Sequence, residues 1–385
     1  MRGNMAFLFW HKNPYDIQKT EQLFQKKMRE NMQFHFANCK EYRALLTRLG
    51  WNEEKIDKLE AIQDIPVLPT LYLKHHRMDS VPQRKMLTRA TSSGTSGNKS
   101  NIGYDIGSLW RMLGMSVSIG RRHKLFSLRR CRYIILGYEN RKAFDKSHKD
   151  DEKAVAKTAY AFTYMAPAKS RIYALRYQNG EYSLQLEAIK EALIKYSKKK
   201  TPVRIIGFPF HAYWLLTQMK EEGITCHLPK GSVIAFGGGW KEYYTQRADK
   251  ETMYRLVEEV LGIPEENCWE FFGAVEHPVL YTTCPKHHFH VPIHSRVLIR
   301  DVDTFKPIEM GNPGLVNLLT PMIKSAPVHS IMTDDLGILH EGSTCGCGIG
   351  TPYLEILGRV GMDDITTCAA GAEKLSGQII QEVLK

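Results

Sequence analysis

The sequence lacks any run of about 18 uncharged apolar residues, the kind of stretch that indicates a membrane-spanning helix. The N-terminus, residues 1–15, also lacks the sustained apolar segment and the small-residue cleavage site of a secretory signal. We therefore predict no membrane span, and we expect a cytoplasmic protein.

Cysteine is sparse, with eight residues spread along 385 positions. Small secreted domains that depend on disulfides carry a dense cysteine pattern and a secretion signal, and this sequence has neither. Free thiols, one metal site and one reactive cysteine are the remaining alternatives. The eight residues are Cys39, Cys131, Cys226, Cys268, Cys284, Cys345, Cys347 and Cys368.

Positive charge is in excess, because 53 Lys and Arg residues stand against 41 Asp and Glu residues, a net charge of +12. Such a surplus can indicate nucleic-acid binding. The basic residues are scattered, however, with local clusters at 121–124, 129–130 and 198–200, and no zinc-finger, recognition-helix or RNA-binding aromatic motif accompanies them. We predict a solvated surface or a docking surface for an acidic partner, and no nucleic-acid partner.

One segment, residues 91–100, contains only small, hydroxylic, amide and lysine residues, none suited to a hydrophobic core. Two glycines three positions apart allow a tight turn that exposes backbone N–H groups, and the hydroxyls and lysine add donors for phosphate oxygens. A flexible Ser/Gly linker is the alternative, although apolar segments continue on both sides. The candidate nucleotide-binding residues are Ser93, Gly94, Thr95, Ser96, Gly97 and Lys99.

Short apolar strands alternate with amphipathic helices after residue 105. The helical spacing of apolar residues predicts helices near 186–196 and 253–261, and the strands are predicted at 131–136, 203–206, 233–236 and 269–272. Near-continuous apolar strands that alternate with helices indicate an α/β fold whose largely parallel sheet is covered on both faces.

A glycine follows each of these four strands, and three follow the third strand as Gly237, Gly238 and Gly239. Ligands of open α/β sheets lie beyond the carboxyl ends of the strands, where glycine lets the backbone approach them closely. A glycine that merely turns the chain explains one or two of these positions, but it explains the triple glycine poorly.

The chain is predicted to have three parts. Helical spacing of Ile17, Phe24, Met28 and Met32 indicates a helical lead-in over 1–90. A core then spans 91–357, and alternating apolar runs within it predict a small antiparallel β subdomain at about 284–330. A short hinge and C-terminal tail make up 358–385.

The 91–100 segment fails the Walker A pattern, because Asn98 precedes Lys99 where that pattern has glycine. It resembles instead the Thr/Ser/Gly-rich phosphate loop of adenylate-forming enzymes, and the likeness to their phenylacetate–CoA ligase branch extends through Gly103-Tyr104. Lys99 stands where that branch usually has proline. Four motifs that resemble the same superfamily follow in its order, Gly237-Gly238-Gly239, Phe272-Gly273-Ala274-Val275-Glu276, Thr333-Asp334-Asp335-Leu336-Gly337 and Gly358-Arg359.

This resemblance implies the large-domain fold of adenylate-forming enzymes, with mostly parallel sheets flanked by helices, and it implies ATP and Mg²⁺ as cofactors. Glu276 can bind Mg²⁺, Asp335 can accept hydrogen bonds from the ribose hydroxyls, and Arg359 offers a permanent cation for the α-phosphate. Phe272 can stack on adenine, and Gly273 follows it in the motif. The alternatives are a surface acid for Glu276, a core aromatic for Phe272, a helix cap for Asp335 and a surface ion pair for Arg359.

Only 26 residues follow Arg359, so the second domain of full-length relatives is expected to be absent or truncated. A short C-terminus, Gly-Gly-Trp in the glycine loop and Thr-Asp-Asp-Leu-Gly all resemble the acyl-protein synthetase (LuxE-type) family. That resemblance implies acyl transfer from AMP to Cys368 as the catalytic cysteine, although a buried structural cysteine is the alternative. Lys374 could favour its thiolate.

The predicted function is therefore ATP-dependent activation of a carboxylic acid, in particular a fatty acid, followed by acyl transfer to Cys368 and on to a partner reductase or an acyl carrier. An acyl-CoA ligase and a non-catalytic nucleotide-binding module are the alternatives. A cluster of aromatic residues and a histidine could line the acid pocket, namely Phe208, Pro209, Phe210, His211 and Trp240.

Two short Cys/His clusters provide soft ligands of the kind that structural zinc requires. Cys284, His290, Cys345 and Cys347 would make a closed tetrahedral site, although His287 and His288 are alternative histidines. The sequence also allows free thiols in a Gly-rich turn at these positions.

Overall fold

The structure, a computed structural model, describes residues 5–91, 100–139, 159–178, 181–238 and 248–359. Its principal helices are α1 (Met5–Phe9), α2 (Ile17–Asn38), α3 (Lys40–Arg48), α4 (Glu53–Asp57), α5 (Thr70–His75), α6 (Ile106–Arg122), α7 (Leu186–Ser197), α8 (Pro209–Glu221) and α9 (Lys250–Leu261). Its strands are β1 (Leu68–Pro69), β2 (Met86–Thr91), β3 (Asn101–Asp105), β4 (Cys131–Tyr138), β5 (Ala168–Gln178), β6 (Glu181–Leu184), β7 (Val203–Gly207), β8 (Val233–Gly237), β9 (Cys268–Phe272), β10 (Tyr281–Thr282), β11 (Phe289–His290), β12 (Arg296–Arg300), β13 (Pro313–Leu319), β14 (Ser330–His340) and β15 (Tyr353–Arg359).

The chain divides into two compact units. The first unit consists of the described parts of residues 1–122, 273–281 and 288–385. The second unit consists of the described parts of residues 123–272 and 282–287.

The strands of the second unit belong to a seven-stranded sheet with the order β10-β9-β8-β7-β4-β5-β6. Strands β9, β8, β7, β4 and β5 pair in parallel, whereas β6 pairs antiparallel with β5. The four strands predicted from the sequence correspond to β4, β7, β8 and β9. The prediction of an α/β fold with a largely parallel sheet is therefore confirmed.

Both faces of this sheet are covered by apolar side chains. Ile134 and Leu136 of β4 pack with α7, α8 and α9 in one buried cluster, and Tyr133 and Ile135 of the same strand belong to a second cluster. Strand residues alternate between the two faces, so only a strand that is apolar at successive positions can serve both clusters. This requirement explains the continuous apolar runs seen in the sequence.

Helix α9 shows how the sequence sets its own boundaries. Asp249 caps the N-terminus, because its side chain accepts a hydrogen bond of 2.7 Å from the Thr252 amide. Gly262 follows the last residue with φ of 63°, and its amide donates to the Glu258 carbonyl at 2.9 Å. Because few residues other than glycine adopt this left-handed conformation, Gly262 ends the helix at the predicted position.

In the first unit, α2 buries Phe24, Met28 and Met32, the apolar stripe predicted from helical spacing. The helix has 22 residues and also carries lysine, arginine and glutamate residues. Among the described residues, no helix is both long enough and apolar enough to cross a membrane.

A second, antiparallel sheet also lies in the first unit, with the order β11-β15-β14-β13-β12, and β1 pairs in parallel with β14. The predicted antiparallel pairing is seen between β12 and β13, where Val297 lies opposite Leu318. The sheet continues through β14 and β15 as far as Arg359. Asp335 and Arg359, two of the residues predicted for the active site, lie on β14 and β15 of this sheet.

Buried histidines form part of the core of the first unit. Neither ring nitrogen of His294 has a hydrogen-bond partner among the described residues, and the ring stacks on Phe9 with centroids 5.5 Å apart. His329 stacks on His35 at 5.4 Å, and its Nε2 atom lies 2.9 Å from the Tyr42 hydroxyl oxygen. Burial lowers the pKa of both His294 and His329 to about 3, so both are neutral at neutral pH.

We expect the free energy of unfolding to fall as the pH drops below about 6.5, the usual histidine pKa. Below that value the unfolded histidine binds a proton that the folded one does not, until the pH reaches the folded pKa of about 3. Each such histidine contributes a slope of about 1.4 kcal/mol per pH unit. Urea denaturation at a series of pH values measures this slope.

The variant His294→Leu should reduce the slope by about 1.4 kcal/mol per pH unit, since it removes one of these groups. An identical slope in His294→Leu and in the wild type would contradict the prediction.

Candidate active site

Glu276 lies in a tight turn between β9 and β10. The Ala274 amide donates to the His277 carbonyl at 3.4 Å, and the His277 amide donates to the Ala274 carbonyl at 3.2 Å. The Tyr104 hydroxyl, from β3, donates to the Val275 carbonyl at 3.0 Å. The turn is therefore held from within and from a neighbouring strand. It keeps the Glu276 side chain in a buried position, with 4 % of the residue exposed.

Tyr104 is a site residue whose role was not predicted from the sequence. Burial raises the pKa of its phenol, and the negative charge of Glu276 raises it further. The hydroxyl therefore remains protonated and continues to donate to the turn. Its position at the end of the Gly103-Tyr104 pair, where the motif resemblance ends, was the only sequence signal for it.

His277, next to Glu276, is a second residue whose role was missed. Its Nε2 atom lies 3.1 Å from the Tyr281 hydroxyl and 3.1 Å from Ser295 Oγ. Burial lowers the pKa of His277 to about 3, so the ring is neutral at neutral pH. A neutral ring here supports the turn without adding a positive charge beside the Glu276 carboxylate.

Asp335 and Arg359 face each other on neighbouring strands. They are directly opposite in the antiparallel pairing of β14 with β15, and Arg359 Nε donates to Asp335 Oδ1 at 3.2 Å. Burial raises the pKa of Asp335, an effect that Arg359 opposes. The charge of Asp335 raises the pKa of Arg359, and Glu276 acts in the same direction. The three predicted residues Glu276, Asp335 and Arg359 thus share one electrostatic environment within the first unit.

Asp334 has a different environment from its neighbour. Thr70 Oγ1 donates to Asp334 Oδ1 at 2.9 Å, and Lys74 Nζ lies 3.5 Å from Asp334 Oδ2. Successive side chains of a strand point to opposite faces, so adjacent aspartates of β14 have different partners. Asp334 links the strand to α5, and only Asp335 faces Arg359.

Glycines at the carboxyl ends of the parallel strands bring backbone and aromatic rings close together. Gly238 has φ of 85°, and a Cβ atom there would lie 2.7 Å from Phe208. A Cβ atom on Gly237 would lie 2.1 Å from the ring of Phe271. No larger residue fits at either position without displacing an aromatic ring. Phe272, predicted to contact adenine, is half-buried at the end of β9, and Gly273 follows it.

The aromatic residues predicted for the acid pocket form a buried cluster at the start of α8. Phe208 and Phe210 are stacked with centroids 5.2 Å apart, and His211 lies 4.4 Å from Phe210. His211 Nδ1 lies 3.3 Å from the Leu136 carbonyl. These residues lie beyond the carboxyl ends of β4 and β7. A small cavity elsewhere in the second unit, lined by core residues such as Ile189 and Leu215, contains none of them.

Several predicted residues lie outside the described parts of the chain. Strands β2 and β3, which flank the phosphate-loop segment, are paired, and Thr91 lies opposite Asn101. The predicted site residues that lie outside the described parts are Ser93, Gly94, Thr95, Ser96, Gly97, Lys99, Gly239, Trp240 and Cys368.

The structure brings together the four predicted zinc ligands. The ligand atoms of Cys284, His290, Cys345 and Cys347 all lie within 4.8 Å of one another. No disulfide joins any of the cysteines among the described residues. Three cysteines and one histidine within this distance match the donor set of a closed tetrahedral zinc site.

Hydrogen bonds orient these ligands. His290 Nδ1 lies 2.7 Å from the Thr351 carbonyl, so Nδ1 carries the proton and Nε2, 3.2 Å from Cys347 Sγ, is the ligand atom. The Ile349 amide donates to Cys347 Sγ at 3.4 Å, and the Lys286 amide donates to Cys284 Sγ at 3.3 Å. These backbone donors hold the two sulfur atoms in position, as outer hydrogen bonds do for metal ligands.

Comparison with known proteins is consistent with these features. A family model described as "Acyl-protein synthetase, LuxE" matches residues 5–376. The "long-chain-fatty-acid–luciferin-component ligase" of Vibrio harveyi is 27% identical over 92% of this chain and 88% of its own length. The protein of the same name from Aliivibrio fischeri is 26% identical over 85% of this chain and 82% of its own length.

Among solved structures, an open conformation of 2-hydroxyisobutyryl-CoA ligase in complex with 2-HIB-AMP and CoA has a TM-score of 0.66. It is 15% identical, and the match covers 92% of this chain and 77% of that one. The likeness shows that this chain shares the fold of that ligase. Since the family match covers nearly the whole sequence, the chain is a ligase that belongs to the LuxE acyl-protein synthetase family.

Proposed function

We propose that this ligase uses ATP to convert a long-chain fatty acid into an acyl-adenylate and then transfers the acyl group to its own Cys368. The observation that carries the proposal is the grouping of Glu276, Asp335 and Arg359 in one charged site of a LuxE-family chain. The long-chain substrate is inferred from the names of the relatives from Vibrio harveyi and Aliivibrio fischeri.

The first step makes a mixed anhydride. A carboxylate oxygen of the acid attacks the α-phosphorus of ATP, the bond from that phosphorus to the bridging oxygen breaks, and pyrophosphate leaves. In this proposal the Arg359 guanidinium stabilises negative charge on the α-phosphate, and Asp335 accepts a hydrogen bond from a ribose hydroxyl through its second oxygen. The phosphate-loop residues Ser93 to Lys99 would bind the β- and γ-phosphates.

Glu276 has the properties expected of a residue that binds Mg²⁺. It is a buried carboxylate that takes part in none of the ion pairs between described side chains, and buried carboxylates are rarely left without a cation. Bound Mg²⁺ would neutralise charge on the phosphates. The Tyr104 and His277 contacts described above hold the Glu276 turn in place for this role.

The second step makes a thioester. The Cys368 thiolate attacks the acyl carbonyl carbon, the bond from that carbon to the AMP oxygen breaks, and AMP leaves. A cysteine on the same chain is present at a high effective concentration, which favours this reaction over attack by a separate molecule. The thioester remains activated and can pass the acyl group to a reductase or an acyl carrier.

The acid pocket is assigned to the aromatic cluster of Phe208, Phe210 and His211, together with Trp240. The position of Phe208, Phe210 and His211 just after the carboxyl end of β7 supports this assignment. An acyl-CoA ligase is the second candidate, because the fold is shared with a CoA ligase. Release of acyl-CoA upon addition of free CoA would distinguish that activity, and ATP binding without acyl-adenylate would indicate a non-catalytic module.

We also propose that Cys284, His290, Cys345 and Cys347 bind a structural zinc ion. Four protein ligands leave no open position for a substrate, which is typical of structural sites. Two glycines with positive φ, Gly346 and Gly348, shape the turn that carries two of the thiols.

The variant Asp335→Asn should raise the KM for ATP by about tenfold or more, since a hydrogen bond to a charged group contributes about 1.5–3 kcal/mol. ATP–pyrophosphate exchange with a fatty acid measures this constant. Asp334→Asn is the matched control. Because Asp334 contacts Thr70 and Lys74, we expect it to change stability and leave the KM nearly unchanged. Equal effects of the two variants on the KM would argue against the assignment of Asp335.

Incubation with ATP and a labelled fatty acid should give an acyl adduct that hydroxylamine removes, because hydroxylamine cleaves thioesters. Cys368→Ser should abolish this adduct and preserve ATP–pyrophosphate exchange, since it removes only the acceptor. Peptide mapping by mass spectrometry identifies the labelled residue. A label on another cysteine, or none on the wild type, would refute self-acylation at Cys368.

Protein purified without added zinc should contain about one equivalent of the metal by elemental analysis. The double variant Cys345→Ser/Cys347→Ser should lose it and unfold at a lower temperature, because structural zinc binding contributes to folding free energy. Cys226→Ser, at a buried cysteine outside the cluster, is the control and should retain the metal. A fully folded wild type without metal would end the proposal.

A further inference from the structure

A short basic loop, defined here as residues 123–130, connects α6 to β4 in the second unit. It exposes large apolar side chains among cationic ones. Leu128 is 98 % exposed and Phe126 is 48 % exposed. Lys124, Arg129 and Arg130 are also exposed, and Arg121 and Arg122 precede the loop in the chain.

The loop is held in place by its own contacts. Leu125 is 1 % exposed and packs in a core cluster that includes Tyr133. The Ser127 amide donates to the Met165 carbonyl at 3.3 Å, and Ser127 Oγ accepts a hydrogen bond of 3.0 Å from the Arg129 amide. Because residues on both sides of it are anchored, Leu128 projects from a defined bend.

The described segments next to the basic loop also expose an aromatic side chain and contain no acidic residues. Tyr164 is 70 % exposed and adjoins Met165, which bonds to the loop. Neither segment 106–138 nor segment 159–178 contains an aspartate or a glutamate. No described ion pair involves Lys124, Arg129 or Arg130. Within the described part of the chain, the tip therefore presents three apolar or aromatic side chains beside basic side chains that form no ion pair.

We propose that the basic loop, together with Tyr164, binds the surface of an anionic lipid membrane. Basic side chains attract anionic headgroups, and bulky apolar side chains insert at the boundary between headgroups and acyl chains. A tyrosine ring is suited to the same boundary. A stable protein interface needs about 800 Å² on each partner, which three side chains at the tip of a loop do not supply. The observations therefore favour a membrane over an acidic protein.

Surface binding would bring the enzyme to its substrate, a consequence that rests on the proposed function. Each methylene of an acyl chain increases membrane partitioning about fourfold, so long-chain fatty acids reside mainly in lipid. A ligase that docks on the bilayer can collect the acid there. The membrane-binding surface itself does not depend on the identity of the substrate.

The test is flotation of the full-length protein with vesicles of phosphatidylcholine alone or mixed with phosphatidylglycerol. We expect binding to the mixed vesicles that weakens with added salt, because screening reduces the attraction. Arg129→Ala/Arg130→Ala should reduce the partition coefficient by on the order of tenfold or more, and Leu128→Ser should reduce it at every salt concentration. The control is Lys198→Ala/Lys199→Ala, in an exposed basic cluster without an adjacent exposed large apolar residue, and it should bind as the wild type does.

No binding of the wild type to mixed vesicles would overturn the proposal, as would equal losses in the loop variants and in the control. Binding of the loop to purified acyl carrier protein, with no binding to vesicles, would assign the surface to an acidic protein instead. ATP–pyrophosphate exchange with water-soluble octanoate should be the same in the wild type and the loop variants. Absence of exchange with octanoate and with long-chain fatty acids alike would contradict the proposed function while leaving the vesicle result intact.

Discussion

The ion pair between Asp335 and Arg359 is the interaction on which the arrangement of the site depends. It joins β14 to β15, the last strand that the structure describes, and it sets the guanidinium beside a buried carboxylate. Burial alone would favour the neutral form of Asp335, and the neighbouring cation opposes this effect. The pair therefore keeps a carboxylate available for hydrogen bonding within the sheet, near the charge of Glu276.

The parallel sheet was predictable because its strands are apolar at successive positions. Residues 131–136 and 203–206 place apolar side chains on both faces of the sheet, and both faces are buried. A continuous apolar run of this length is typical of a strand covered on both sides. The antiparallel sheet was harder to predict in full. Strands β1 and β11 have two residues each, too few for any periodicity to be visible.

Candidate site residues can be chosen from the sequence where the residue type limits the chemistry. Glu276, Asp335 and Arg359 stand in short motifs, and the four metal-ligand candidates combine soft donors at close spacing. Tyr104, His277 and Thr70 could not be assigned in this way. Each acts through a hydrogen bond to a residue distant in sequence or to a backbone group, and such partners become visible only in three dimensions.

Adjacent aspartates on β14 have a consequence for how the family can vary. Asp334 and Asp335 point to opposite faces, so a shift of β14 by one residue would exchange the carboxylate that faces Arg359 with the one that contacts Thr70 and Lys74. The irregularity in pairing between Leu336 and Gly337 lies just after this pair. A Cβ atom on Gly337 would lie 2.6 Å from the Glu355 carbonyl oxygen. A larger residue at position 337 would therefore require the backbones of the paired strands β14 and β15 to move apart. Insertions and deletions should therefore be tolerated in the loops around this strand and excluded from the strand itself.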